Sequence, residues 1–270
     1  MTYQPIVPLS GYAGWKVLNR TMETQKAAFT ASVTIQNDEE YFRENIGNVT
    51  SAEELVSDYR LLKVALGAFG LDDDLQNKYF IKKVLEEGTL DEDSFANKLS
   101  DKKYAALSEA FGFDFDPPNT VLSSFADEMI ANYEERQFEI AVGDSDESYR
   151  FALNAQRELA DLAAEDSSDN TKWYTIIGNE ALATVMRTGL GLPESTSSLD
   201  VDQQVTIFKQ KAQQVFGSDE VSQFTDEESV EKLIKYYLLR DQVMNGSVST
   251  SSNSIALTLL QNAASFSARF

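Results

Sequence analysis

Hydrophobic side chains recur at three- and four-residue steps along most of the chain, which is the period of an amphipathic α-helix. The first such stripe consists of Trp15, Leu18, Met22, Phe29 and Val33, and Gln25 fills its missing place. The spacing is heptad-like. Two interpretations stay open at this point. The stripe either packs against the chain's own domain, which is the more common case, or offers a surface to a partner.

The same period continues through the rest of the sequence, so the predicted fold class is all-α, a multi-helix bundle. We expect about nine to eleven helices, short connections and no sheet of consequence. After the first helix, the stretches with helical character cover approximately residues 39–45, 51–66, 72–87, 89–99, 101–111, 117–142, 147–164, 170–189, 200–216, 225–244 and 254–268, and some of them can join into one helix.

Three of these helices begin with the spacing of a capping box. A Ser or Thr is followed three residues later by Glu, so that the hydroxyl and the carboxylate can each bond an unpaired backbone N–H. The pairs are Ser51 with Glu54, Thr89 with Glu92, and Thr225 with Glu228. We therefore expect helix starts at these three places.

Composition shifts suggest four segments. Pro117 and Pro118 form the strongest internal break, and the stretch 246–254 is rich in Ser, Thr and Asn, as flexible linkers are. The predicted segments are an N-terminal arm and amphipathic helix at 1–36, a first helical unit at 37–116, a second at 117–246, and a linker with a C-terminal helix at 247–270. The last helix carries its own stripe of Ile255, Leu259 and Phe266.

A short internal similarity links the two central segments. Residues 61–71 (LLKVALGAFGL) and 182–192 (LATVMRTGLGL) are identical at four of their aligned positions, namely Leu61 and Leu182, Val64 and Val185, Gly70 and Gly191, and Leu71 and Leu192. Two explanations stay open. The chain contains two related helical subdomains, or helices that end at glycine have matched by chance.

The chain is strongly acidic, with 44 acidic against 23 basic side chains and a formal charge of -21. Such a charge repels nucleic-acid phosphates and anionic lipids, so we expect neither as a partner. The terminal segments differ. Residues 1–36 hold Glu23 against Lys16, Arg20 and Lys26, and residues 247–270 hold Arg269 alone. We interpret both ends either as frayed tails or as surfaces that lie against something.

The chemistry available to the chain is limited because it has no histidine and no cysteine. His-based catalysis, thiol chemistry and His or Cys metal sites are excluded. Asp72, Asp73 and Asp74 lack the glycine and distal glutamate of a calcium loop, so a helix start explains them better. We expect no catalytic residue, no metal and no cofactor. The alternative is a carboxylate-based hydrolase or lyase that acts on cell-wall glycan.

Targeting signals point to no membrane insertion. No apolar run approaches the ~20 residues of a membrane span, and the N-terminus lacks the pattern of a cleaved signal peptide. We expect a cytoplasmic protein, or one exported without a cleaved signal.

Several segments together resemble a bacterial family of unknown function, domain-of-unknown-function family twelve-seventeen. They are Gly14-Trp15, Tyr41-Phe42 with Ile46, and residues 51–113, which begin SAEELVSDYRLLKVALGAFGL. The resemblance is strong over residues 10–116 and looser to about 245. Members tend to be encoded among flagellar genes, and the family has no established activity to carry over.

The resemblance implies a flagellar setting, which the absence of cysteine also fits, because flagellar export substrates commonly lack it. We therefore expect a non-enzymatic protein that binds flagellar proteins, either as an assembly factor or as an exported axial component. The candidate partner-binding surface combines the two terminal stripes, namely Trp15, Leu18, Met22 and Phe29 with Ile255, Leu259 and Phe266.

Overall fold

The structure is a computed structural model, and it describes residues 3–245. This part of the chain contains thirteen α-helices and no strand, so the all-α prediction is confirmed for it. The helices are α1 (Gly11–Thr30), α2 (Val33–Asn45), α3 (Ala52–Ser57), α4 (Tyr59–Phe69), α5 (Lys78–Glu87), α6 (Phe95–Lys98), α7 (Lys103–Phe111), α8 (Phe125–Gly143), α9 (Glu147–Ala164), α10 (Asp169–Gly178), α11 (Glu180–Leu190), α12 (Val201–Phe216) and α13 (Glu227–Asn245). Short 3-10 helices lie at Ile46–Asn48, Asp72–Gln76, Asn119–Val121, Glu194–Ser198 and Val221–Thr225.

The described residues hold more helices than the nine to eleven expected, partly because two predicted continuous helices are interrupted. Asp58 separates α3 from α4, and Asn179 separates α10 from α11. Both residues have extended backbone, and the side chain of each accepts hydrogen bonds from the N–H groups two and three residues ahead. These side chains bond backbone N–H groups that a continuous helix would pair with its own carbonyl oxygens. Each of the two residues therefore ends one helix and caps the next.

Of the three predicted capping boxes, the structure contains one. The backbone N–H of Glu54 donates to Ser51 at 3.3 Å, and the Glu54 carboxylate accepts from the N–H of Thr50 at 2.8 Å. Thr89 instead lies in a loop before the short helix α6. At the start of α13, the carboxylate of Asp226 accepts from the N–H of Ser229 at 3.0 Å. Asp226 thus takes the capping place expected for Thr225.

The described chain forms two compact units that differ from the predicted segments. Among the described residues, the first unit consists of 3–6 and 21–142, and the second of 7–20 and 143–245. Helix α1 is shared, since its second half belongs to the first unit and its first half to the second. The predicted break at Pro117 and Pro118 lies inside the first unit.

A buried contact explains why the two prolines do not separate units. The Thr120 hydroxyl donates to the backbone oxygen of Val49 at 2.6 Å, which holds the segment after the prolines on the first unit. Helix α8 then packs there, with the rings of Phe138 and Phe29 meeting edge to face at 5.8 Å. The long helix after the prolines is therefore the last helix of the first unit.

Each unit repeats the same local order of elements around its central helix. In both, an Asp or Asn cap precedes an eleven-residue helix, which ends at a left-handed glycine and continues into a five-residue 3-10 helix. The glycines are Gly70 (φ 67°) and Gly191 (φ 73°), and the left-handed backbone favours glycine because other residues strain there.

An arginine from the last helix of each unit bonds the end of this central helix. Arg136 donates to the backbone oxygen of Ala68 at 2.8 Å, and Arg240 donates to that of Gly189. Both acceptors lie two residues before the terminal glycine. The sequence similarity at 61–71 and 182–192 thus coincides with a local arrangement that both units share, and a duplicated helical unit stays a prediction.

Two further expectations concern the chain's relation to membranes and its C-terminus. Between residues 3 and 245, no helix is long and apolar enough to cross a membrane. The linker and C-terminal helix predicted at 247–270 lie outside the described residues.

Candidate binding site

The stripe predicted as a partner surface lies mostly inside the chain's own fold. Trp15 and Leu18 are fully buried and Phe29 is 3% exposed, whereas Met22 is only partly covered. In this conformation the stripe supplies core side chains to the two units and is not a free surface. Ile255, Leu259 and Phe266 lie outside the described residues, so the joint surface that they were predicted to form stays a prediction.

The polar member of the stripe, Gln25, has a structural role in the first unit. Its side-chain oxygen accepts from the N–H of Ile6 at 2.7 Å, and its amide nitrogen donates to the oxygen of the same residue at 3.1 Å. These two hydrogen bonds resemble the backbone pairing between two neighbouring β-strands. A glutamine at a heptad position therefore fastens the extended N-terminal arm.

Trp15 belongs to a cluster of polar and aromatic side chains in the second unit. Its indole ring stacks on Tyr149 with ring centroids 6.5 Å apart, and its indole N–H donates to Glu231 at 3.2 Å. The Tyr149 hydroxyl lies 2.9 Å from the backbone oxygens of both Leu9 and Gly11. The first turn of α1 is thereby fixed to α9 and α13.

Glu231 on α13 accepts hydrogen bonds from three side chains of α1. Besides Trp15, the Tyr12 hydroxyl donates at 2.8 Å and the Lys16 ammonium at 2.7 Å. Burial by itself raises the pKa of Glu231, but the hydrogen bonds from Lys16, Tyr12 and Trp15 outweigh it and leave the pKa below its ordinary value. Glu231 is therefore an anion with its acceptor capacity largely used.

A groove of about 270 Å³ opens beside this cluster, within the second unit. We call it the α1–α13 groove. Its walls are formed by one lysine, two glutamates, three uncharged polar residues and four apolar residues, which are Lys16, Glu227, Glu231, Asn19, Gln156, Thr225, Ala160, Phe224, Val230 and Ile234. The groove thus combines an apolar wall with several polar groups, as binding sites do.

One polar atom of this groove has no partner in the fold. The side-chain oxygen of Asn19 is buried and accepts no hydrogen bond. A buried acceptor without a donor costs about 1–3 kcal/mol, so such atoms are uncommon in folded proteins.

Two more grooves lie in the second unit. One, of about 470 Å³, is lined by residues of α10, α11 and α12 and includes Tyr174 and Arg187. The other, of about 370 Å³, lies between the end of α11 and the end of α13 and is mainly apolar, with Arg240 on its wall. The Arg240 guanidinium already bonds backbone oxygens of α11. The unsatisfied acceptor makes the α1–α13 groove the stronger candidate.

The first unit contains a pair of carboxyl groups that sequence reasoning did not single out. Glu39 of α2 is hydrogen-bonded to Glu134 of α8, and burial, followed by this bond and the charge of Glu134, raises the pKa of Glu39 to about 7. Asp38 and Arg43 are the other charged neighbours on α2, the arginine acting to lower the pKa. One proton shared by the two carboxyls explains how they can lie so close.

Among residues 3–245, no group of three or more acidic side chains is arranged so that it could hold a metal ion. The three consecutive aspartates form a 3-10 helix. Asp72 accepts from Gln137 at 2.7 Å, and Asp74 accepts from Tyr104 at 2.6 Å. Their side chains hold the first unit together, in line with the structural interpretation.

Sequence reasoning missed the lining residues of the groove. The predicted stripe contains Trp15, which bonds Glu231 beside the groove, but neither Lys16 nor Asn19, which line it from α1. Glu231 lies 216 residues after Trp15. No local pattern indicates that pairing, because only the tertiary fold brings α13 to α1.

Comparison with known proteins gives a family and a fold. The model of the family described as "Protein of unknown function (DUF1217)" matches residues 68–230. The crystal structure of protein AGR_C_984 from Agrobacterium tumefaciens is similar, with a TM-score of 0.73 and 27% identity, over 90% of this chain and 99% of that one. No curated protein gives a significant match.

Proposed function

This chain belongs to the DUF1217 family of proteins of unknown function, and we propose that it is a non-enzymatic, protein-binding component of the bacterial flagellar system. The flagellar setting follows from the family resemblance, whose members tend to be encoded among flagellar genes. Within this proposal the protein is either a cytoplasmic assembly factor or an axial-associated protein that is exported without a cleaved signal.

The observation that carries the proposal is the α1–α13 groove. It is about 270 Å³ in volume, which is small for a free small-molecule ligand but enough for a side chain of a docked protein. Its walls are held in place by the Glu231 cluster, so little ordering would be needed on binding. A preformed groove of this kind suits an anchor residue from another protein.

The test is affinity capture from flagellated cells of the source bacterium, with the full chain as bait and mass spectrometry as readout. We expect rod, hook, filament or export-chaperone proteins to be retained. An Asn19→Leu bait, which alters the groove, should retain them at least about fivefold less, whereas an Asn97→Leu bait, altered in the first unit, should not.

The proposal is contradicted if the retained proteins have no connection with the flagellum, or if retention is the same for all three baits. Circular dichroism of each bait before use ensures that a lost partner reflects a changed surface and not an unfolded chain.

The alternative function is a carboxylate-based hydrolase or lyase acting on cell-wall glycan. Glycosidases hold their two carboxyl groups about 5–9.5 Å apart, to leave room for a nucleophilic attack or a water molecule. Glu39 and Glu134 are hydrogen-bonded and therefore closer than that. A hydrolase or lyase activity would therefore require another pair of carboxyl groups. Release of soluble fragments from purified peptidoglycan by the full chain would support this alternative.

A further inference from the structure

The α1–α13 groove has a chemical preference that its lining residues define. We propose that it receives the side chain of a lysine or arginine from a partner protein. This inference rests on the proposed function in one respect, which is that the occupant comes from another protein.

The first argument concerns the acceptor oxygens of two lining residues. The buried side-chain oxygen of Asn19 is unpaired. Glu227 lies on the same lining, one helical turn before Glu231 on α13, and its carboxylate is exposed. A cationic group carries several N–H donors for acceptors of this kind, whereas a carboxylate or a carbonyl carries none.

The second argument concerns the shape and the apolar wall. Phe224, Val230 and Ile234 are buried residues that line the groove beside the polar groups. The aliphatic stems of Lys and Arg pack on such surfaces while the charged head reaches polar partners. A short polar side chain would leave this wall uncovered.

The third argument is electrostatic. Lys16 and Glu231 form an ion pair at 2.7 Å, so the charge of Glu227 is the remaining one on the lining. The groove therefore carries a net charge of one negative unit, on a chain of formal charge -21. A cation is drawn toward such a surface and an anion is repelled from it.

Lys16 does not occupy this place itself. Its ammonium is held at Glu231 and lies near the Tyr12 ring, 5.4 Å from the centroid, with over half of the side chain exposed. Lys16 is therefore engaged at Glu231 and not at Glu227.

The experiment uses the full-length protein and three small probes, which are N-acetyl-lysinamide, N-acetyl-argininamide and N-acetyl-norleucinamide. The last has a stem like that of lysine but no charge. Two-dimensional NMR follows the indole N–H of Trp15 and the side-chain amide of Asn19. We expect both resonances to shift and saturate with either cationic probe, at an affinity at least about fivefold higher than for norleucinamide.

Two pairs of variants test the residues. Asn19→Leu should weaken binding of the lysine probe at least about fivefold. Glu227→Lys should weaken it about tenfold or more, whereas Glu228→Lys, with the same charge change on the same exposed helix turn but outside the groove lining, should change it less than about twofold. The Glu227 and Glu228 variants alter exposed positions and are matched in their effect on helix α13, so a folding defect cannot account for a difference between them.

The inference is overturned if norleucinamide binds as well as the cations, if no probe shifts these resonances, or if both reversed glutamates behave alike. Its failure is separable from that of the proposed function. If flagellar proteins are captured but no cationic probe binds, only the proposal that the groove receives a lysine or arginine side chain is overturned. If the cationic probes bind but no flagellar protein is captured, only the flagellar role is overturned.

Discussion

At the scale of single residues, Gly14 has no room for a β-carbon. One placed there would overlap the backbone oxygen of Leu9 and the hydroxyl of Tyr149. Gly14→Ala should therefore lower the free energy of unfolding by about 1–3 kcal/mol or more, because the first turn of α1 must shift. Gly178 is a useful control, since nothing lies within 4 Å of its β-position and it belongs to helix α10.

Gly178→Ala should be neutral or stabilise the chain by up to about 1 kcal/mol, because alanine favours the helix. Urea unfolding followed by tryptophan fluorescence gives both values. Equal effects of the two substitutions would contradict the close packing at Gly14.

Glu39 should make the stability of the protein depend on pH. Its pKa is about 7 in the folded chain, above the ordinary carboxyl value near 4.5, because of burial and the neighbouring Glu134. The folded state therefore binds more protons than the unfolded state between these values, and this contribution to stability is lost as the pH rises from about 4.5 to 7. Above pH 7 the loss is complete.

Glu39→Gln should remove that part of the pH slope and leave the protein more stable than the wild type above pH 7. Urea midpoints measured between pH 4.5 and 8 check this, with Glu40→Gln, at an exposed position of the same helix, as the control. An unchanged slope in the Glu39 variant would rule out the shared proton.

The sequence predicted which α1 side chains are covered but not what covers them. The spacing of Trp15, Leu18 and Phe29 correctly indicates one apolar helical face. Periodicity carries no information on whether the covering surface belongs to the same chain or to another. The burial of Trp15 against Tyr149 and Glu231 depends on contacts far along the chain, which a single sequence does not contain.

At the scale of elements, the helix type was predictable and several helix ends were not. Ser51 caps α3 as its spacing predicts. Asp58 and Asn179, by contrast, stand among good helix formers, so propensity favours continuing the helix through them. Their side chains instead cap the next helix, and the central helices pack on α2 in the first unit and on α9 and α13 in the second. Tertiary packing selects the interrupted form.

These two caps should contribute similarly to stability. Asp58→Ala and Asn179→Ala each remove two capping bonds and one side-chain bond, to Tyr41 and Glu158 respectively. We expect each to lower the free energy of unfolding by about 1–2 kcal/mol. Asn77→Ala, at a helix start where the side chain makes no capping bond, should cost less than about 0.5 kcal/mol. Equal losses at all three sites in urea unfolding would refute the capping role.

At the scale of the whole molecule, the similarity of residues 61–71 and 182–192 coincides with a local order of elements that both units share, whereas the unit limits were not predictable from it. Prolines usually mark a break in the chain, but Thr120 fastens the segment after Pro118 to Val49. The sequence also does not indicate that α1 is divided between the two units, because its apolar stripe is continuous from Trp15 to Phe29.

Removal of residues 247–270 tests the predicted joint surface of the two termini. The described partners of Trp15 are Tyr149 and Glu231, both of which the truncated chain keeps. We therefore expect an unchanged tryptophan emission maximum and unchanged protease resistance at residues 10–36. A red-shifted emission or new cleavage in this segment would instead support pairing of the α1 stripe with Ile255, Leu259 and Phe266.

The division of α1 also has a consequence for the order of events during synthesis. Trp15 is translated 216 residues before Glu231, an interval on the order of 10–40 s at about 5–20 residues per second. Until then, Trp15 and Leu18 on the emerging polypeptide lack the final helix of their own unit. A factor that recognises these two side chains would bind the nascent chain and release the finished one. The burial of Trp15 and Leu18 therefore distinguishes the finished fold from the incomplete chain.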